Sequence, residues 1–186
     1  MNKLIVILKN VGCVNNDNER IVIYGLQKIK IILEDIALVI IGGMIFGNVI
    51  AAIIYESAYI ILRIYAGGYH AATEKKCKCL SLISLVASLI VIFNDLVSVK
   101  FSNVFVVCSS LLIIRLAPVE SQNKKLFYKE KEIYRIRCLF IVITETCIYA
   151  LCICMHQTLY AKAIATAVII VAIGLMPHMI RKFRLK

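Results

Sequence analysis

Acidic side chains are scarce in this chain: 11 aspartates and glutamates stand against 22 lysines and arginines, a formal net charge of +11. A nucleic-acid partner is excluded as the reason. No recognition motif is present, and the basic residues sit in clusters between apolar blocks. Spaced cysteine pairs are also lacking. The eight cysteines (13, 77, 79, 108, 138, 147, 152 and 154) mostly lie inside apolar runs and read as small hydrophobes rather than as a disulfide framework. Their two Cys-x-Cys pairs, Cys77/Cys79 and Cys152/Cys154, are not the doubled pairs of a zinc site, so neither a metal nor a cofactor is expected. A cleavable signal is missing too. Leu4 to Leu8 is too short for its apolar core and runs into Lys9 and Asn10. The chain is expected to insert through internal segments. No repeat or low-complexity tract is evident.

What the chain has is apolar surface. Hydrophobic residues make up 61% of it and the mean hydropathy is +0.88, well above the roughly 45–50% apolar usage of soluble domains. They fall in long runs at 31–66, 80–97, 101–117, 138–155 and 158–179, and a membrane span needs roughly 20 such residues. Basic clusters precede the first run, fill 75–78 and 124–137, and close the chain. Only Lys100 and Lys162 lie in the other two gaps. The positive-inside rule then places both termini in the cytoplasm. Run 31–66 has both flanks inside, so it crosses twice or re-enters, with Gly42-Gly43 or Gly47-Asn48 as the turn. Residues 19–35 alternate apolar and charged side chains at helical spacing, as in an amphipathic interfacial helix.

The expected fold is an all-α integral membrane protein of about six transmembrane helices behind an N-terminal amphipathic helix. It reads as one polytopic domain, 1–186. An amphipathic segment 1–30 is followed by a hairpin 31–66, a loop 67–79, two spans in 80–117, a cytoplasmic loop 118–137, two spans in 138–179 and a basic tail 180–186. Pro118 ends the helix before the central loop.

The chemistry concentrates in Arg63-Ile-Tyr-Ala-Gly-Gly-Tyr-His-Ala-Ala-Thr-Glu-Lys-Lys-Cys-Lys-Cys79. Gly67 and Gly68 permit backbone angles that break a helix, and Thr73 is a plausible N-cap for a new one from Glu74. Cys77 then sits near the positive end of a helix dipole, among Lys75, Lys76 and Lys78, in a field that favours thiolate. Cys79 faces away, about 200° around the helix. On one continuous helix His70 and Cys77 would lie about 10 Å apart along the axis, while a base must come within about 3 Å of its proton. A working pair therefore requires a break between them. Arg63 either anchors the loop or holds a substrate carboxylate through its planar fork. Glu145 lies mid-span and is expected either to pair with Lys162 or a polar neighbour for structure, or to line a substrate path. Asn48 and Asn94 lie in or near spans, and His156 and His178 at span ends.

At these residues the sequence resembles the accessory gene regulator protein B (AgrB) family of membrane cysteine endopeptidases. The matching elements are Tyr24-Gly25-Leu26, Leu62-Arg63 through Ala71, Cys77, and Ala117-Pro-Val-Glu-Ser-Gln-Asn-Lys-Lys-Leu126. The resemblance implies that His70 and Cys77 are the catalytic pair. It places Arg63, Gly67 and Gly68 in the same motif, and Pro118, Glu120 and Lys124 in a second. Gln27 stands where an acidic residue is usual and Lys125 where proline is common. The implied reaction cuts a short quorum-sensing peptide precursor, AgrD-like, through a thioester, and closes the product into a thiolactone or lactone. A multi-pass homodimer in a bacterial cell membrane is implied. Two other readings are a non-catalytic peptide carrier or scaffold on the same fold, and a redox or metal sensor using the Cys-x-Cys pairs.

Overall fold

The computed structural model describes residues 19–68, 74–94, 99–119 and 127–184. They form six helices: α1 (Glu19–Ile45), α2 (Val49–Ala66), α3 (Glu74–Phe93), α4 (Val99–Leu116), α5 (Tyr128–Cys154) and α6 (Thr158–Arg184). Among the described residues there is no strand, only one isolated backbone bridge between Gly67 and Val119.

α1 runs without interruption from the charged stretch into the first apolar run. The turn falls at Phe46–Asn48, where Gly47 has φ 84°. Gly42 and Gly43 remain helical. Asn48 caps α2, its Oδ1 accepting from the Ala51 N–H at 2.9 Å. Asn94 sits just past α3, where its Nδ2 donates to the Ile90 carbonyl at 2.9 Å. Both asparagines thus satisfy backbone groups at helix ends, which have no partner within the helix.

The central polar segment is shorter than its composition implies. α5 already begins at Tyr128, so the second half of 118–137 is helical. Glu130 supports that start by accepting the Phe127 N–H at 3.1 Å, one half of a capping box.

Among the described residues, three helices are long and apolar enough to cross a membrane, within Val49–Ala66, Lys129–Cys154 and Thr158–Pro177. The apolar parts of α3 and α4, Lys78–Phe93 and Phe101–Leu116, are shorter. α6 is the axis of the bundle. It packs against α2, α3, α4 and α5, and over half of its apolar window is buried. Ala161, Ala163, Ala165, Ala167 and Ala172 are all buried, and small side chains let neighbouring helices approach closely. The outer faces carry exposed large hydrophobics on every helix, among them Ile53, Ile60, Ile83, Phe105, Phe140 and Leu151. Apolar exposure on that scale is foreign to a soluble monomer and fits a lipid-facing surface.

Glu145 is buried on α5, and its Oε2 has no hydrogen-bond partner. Among the described residues no ion pair joins it to Lys162, one of the partners the sequence offered.

Candidate active site

α2 ends where the glycines require it to. Gly67 takes φ 77° and Gly68 φ 146°, a region costly for residues with a Cβ. The Gly67 N–H still closes the last turn onto the Arg63 carbonyl at 3.0 Å. The next helix, α3, starts at Glu74, so Cys77 lies in its first turn. α2 and α3 are thus separate helices, and residues 69–73 between them lie outside the described residues. His70, Glu120 and Lys124 lie outside the described residues, and so does the Cys77 side chain.

The two sequence motifs meet at the end of α2. The Val119 N–H donates to the Ala66 carbonyl at 3.0 Å, and Gly67 bridges Val119 in parallel register. A Cβ on Gly67 would collide with the Val119 carbonyl oxygen. Pro118, whose bond to Ala117 is cis, is thereby held against the Arg63–Gly68 motif. Beneath this junction lies a core cluster of Leu62, Ala66, Ile113, Ala117, Val119, Cys138, Val142 and Leu175, drawn from α2, α4, α5 and α6. An aromatic group flanks it. Tyr65 meets Tyr134 edge-on at 5.5 Å, and the Arg137 guanidinium lies 5.6 Å from the Tyr65 ring centre.

Arg63 is half-buried in the last turn of α2 and stacks over Tyr59 at 5.6 Å. Its Nη1 would lie 2.9 Å from a Cβ on Gly68 and 3.1 Å from one on Gly174. Sequence reasoning missed Gly174. The available signal was a lone glycine among larger apolar residues on α6, at a position with no turn to explain it.

A cavity of about 190 Å³ opens between α1, α2 and α3, lined by Glu34, Asp35, Tyr55, Glu56, Tyr59, Lys78, Cys79, Ser81 and Ser84 beside Leu38, Leu82 and Leu85. Tyr59 is thus a wall of the cavity and the platform under Arg63. Lys78 Nζ reaches Glu34 Oε2 at 3.1 Å, and Lys30 lies 3.6 Å from the other oxygen. The Lys78 hydrogen bond, with its charge, holds the Glu34 carboxyl below its ordinary range. Burial raises Asp35 despite the attraction of Lys78. Lys78 is therefore committed to Glu34, and less of its charge is left for the thiol of Cys77 than the sequence implied. Cys79 is exposed and faces the cavity.

A helical bundle whose spans are long enough to cross a bilayer, and whose outer faces are aliphatic, defines a membrane protein. The family model described as Accessory gene regulator B matches residues 1–175. The chain belongs to that family. Two similar proteins are the AgrB-like protein 2 of Clostridium perfringens (strain 13 / Type A) and the AgrB-like protein of Clostridium perfringens (strain SM101 / Type A). Each is 29% identical over 127 residues, covering 63% of this chain and 59% of the relative. The match thus spans about three-fifths of those relatives' own length. No solved structure matches.

Proposed function

We propose that the chain is a membrane cysteine endopeptidase that cuts a short AgrD-like precursor and assists its closure into a thiolactone or lactone. The observation that carries this reading is the position of Cys77. It sits in the first turn of α3, after a helix break made by Gly67 and Gly68, in a chain of the AgrB family. A first-turn thiol feels the unpaired N–H groups and the positive end of the helix dipole, which favour thiolate.

In this mechanism His70 takes the Cys77 proton or orients an existing thiolate. The sulfur attacks a peptide carbonyl, the amide C–N bond breaks, and His70 returns the proton to the departing amine. The acyl group remains on Cys77 as a thioester. A cysteine or serine of the same peptide attacks that thioester, forming the ring and releasing the Cys77 sulfur. Exchange of a thioester for a thiolactone is near energy-neutral, so no ATP is required. A site at the bilayer edge keeps water from the acyl-enzyme. The protein is a multi-pass homodimer of the bacterial cell membrane, with both termini cytoplasmic. Arg63, Gly67, Gly68, Pro118, Glu120 and Lys124 support the pair.

Co-expression with a short AgrD-like precursor tests this. Cys77→Ala should abolish cleavage, His70→Ala should reduce it at least 100-fold, the lower end of general-base contributions, and Cys79→Ala should leave it nearly unchanged. Cleavage that persists in Cys77→Ala removes the assignment.

A further inference from the structure

The cavity between α1, α2 and α3 gathers negative charge in a chain that has little of it. Only 11 of the 186 residues are acidic, yet Glu34, Asp35 and Glu56 all line this one space, against a single lysine. Lys78 is drawn to Glu34 at 3.1 Å, and Lys30 stands beside the other oxygen of that carboxyl. Asp35 and Glu56 are left over. Both are half-buried, and neither has a hydrogen bond or an ion pair among the described residues. They come from different helices and lie close enough for their charges to repel. Glu56 falls midway along the span Val49–Ala66. An ionisable group at such a depth is costly unless it faces a cavity and meets a partner there.

The polar lining continues inward. Ser81 and Ser84 line the cavity. Ser88, one turn further along the same face of α3, is 1% exposed, and its hydroxyl has no partner. Leu38, Leu82 and Leu85 form the apolar part of the wall. Carboxyls set among aliphatic walls suit a cation carried on an alkyl stem. A bare metal ion fits less well: among the described residues, no three histidines, cysteines or carboxylates stand together as metal ligands.

We infer that this cavity receives one basic side chain, a lysine or arginine of the peptide substrate, with its charged head between Asp35 and Glu56 and its stem along the three leucines. That the occupant belongs to a peptide rests on the peptidase reading, whereas the cation site rests on the cavity alone. α3 supplies the link between them. Lys78 and Cys79 line the cavity, and both follow position 77 in the first turns of that helix. A basic residue seated here anchors the precursor beside the start of α3. Asp35 and Glu56 each gain an opposite charge where otherwise they have a like one.

Cys79, exposed and in the cavity wall, reports on the site without a precursor. The full-length protein in detergent is treated with a cationic aminoethyl methanethiosulfonate and, separately, with its neutral hydroxyethyl counterpart. Mass spectrometry of the Cys79 peptide gives the two rates. The double variant Asp35→Asn/Glu56→Gln should lower the cationic-to-neutral ratio at least threefold, the effect of one unit charge at roughly 7 Å in water, with the neutral rate unchanged. Glu132→Gln, exposed on α5, should leave the ratio alone. Butylammonium should slow the neutral reagent in the wild type and not in the double variant, and sodium at the same ionic strength should slow neither. A ratio indifferent to both carboxyls overturns the cation site. Protection by sodium equal to that by butylammonium overturns the side-chain occupant. With an AgrD-like precursor, replacing its basic residues one at a time by glutamine should raise KM at one position with kcat held, and that replacement should have no further effect in the double variant. Absence of such a position overturns the occupant and leaves the peptidase reading standing. A wild-type protein that cuts no precursor removes the peptidase reading and the peptide occupant with it, while the charge ratio still decides the cation site.

Discussion

Gly67 shows how much one missing side chain carries. Its φ of 77° ends α2, and its bare α-carbon lets the Val119 carbonyl approach. Alanine there faces the left-handed penalty of about 1–2 kcal/mol and must also push Val119 away. Gly67→Ala should therefore cost more than 2 kcal/mol in detergent unfolding, and precursor cleavage should fall with it. An unfolding midpoint equal to wild type would mean that the bridge is dispensable. The helix-breaking role of this glycine pair was legible from the dipeptide alone, because φ above zero is a local property. The crowding was not, because Val119 comes from a segment some fifty residues away. Gly174 was illegible for the same reason: what needs its missing Cβ is an arginine from another helix. Asn48 was legible as part of the candidate turn Gly47-Asn48, where the structure places it. That Asn48 and Asn94 each satisfy a backbone group at a helix end was not, because it depends on local geometry.

At the scale of elements, α3 is tied to α1 by the Lys78–Glu34 contact. Both partners are substantially exposed, and such pairs contribute little to global stability. Their effect is local. The Glu34 carboxyl titrates below its ordinary 4.5, so the contact is complete above that pH and is lost as pH falls through the lowered value. A carboxyl NMR titration should give a Glu34 midpoint below 4.5, and Lys78→Ala should move it back up. A midpoint indifferent to Lys78 would refute the pairing. Helix existence was readable from apolar runs, while Thr73, the expected cap of α3, lies outside the described residues. Helix extent was less readable. α5 reaches back to Tyr128 because alternating charges and the Glu130 cap make a good helix despite their polarity. Hydropathy reports where a helix meets lipid, and a polar first turn lies outside that signal.

For the whole molecule, the bundle is organised around α6, which touches α2, α3, α4 and α5. The run pattern predicted apolar helices but not which of them is central. That is decided by the alanines of 161–172, whose burial depends on partners. The proposed six-crossing topology makes a labelling prediction. Cys154 and Cys79 are both exposed, and the scheme puts them on opposite sides. A membrane-impermeant maleimide applied to intact cells should label a variant retaining only Cys154. One retaining only Cys79 should be labelled only after permeabilisation. The reverse pattern would invert the topology and remove the cytoplasmic site.

The stitch between Gly67 and Val119 has an evolutionary corollary. A motif recruited from two places in the chain resists transplantation, since grafting the histidine–cysteine segment alone into another bundle leaves its glycine turn without the segment that seats it. Change in this lineage should then be concerted: drift at the proline-bearing partner segment forces compensation beside the first motif, while the lipid-facing flanks stay free to diverge.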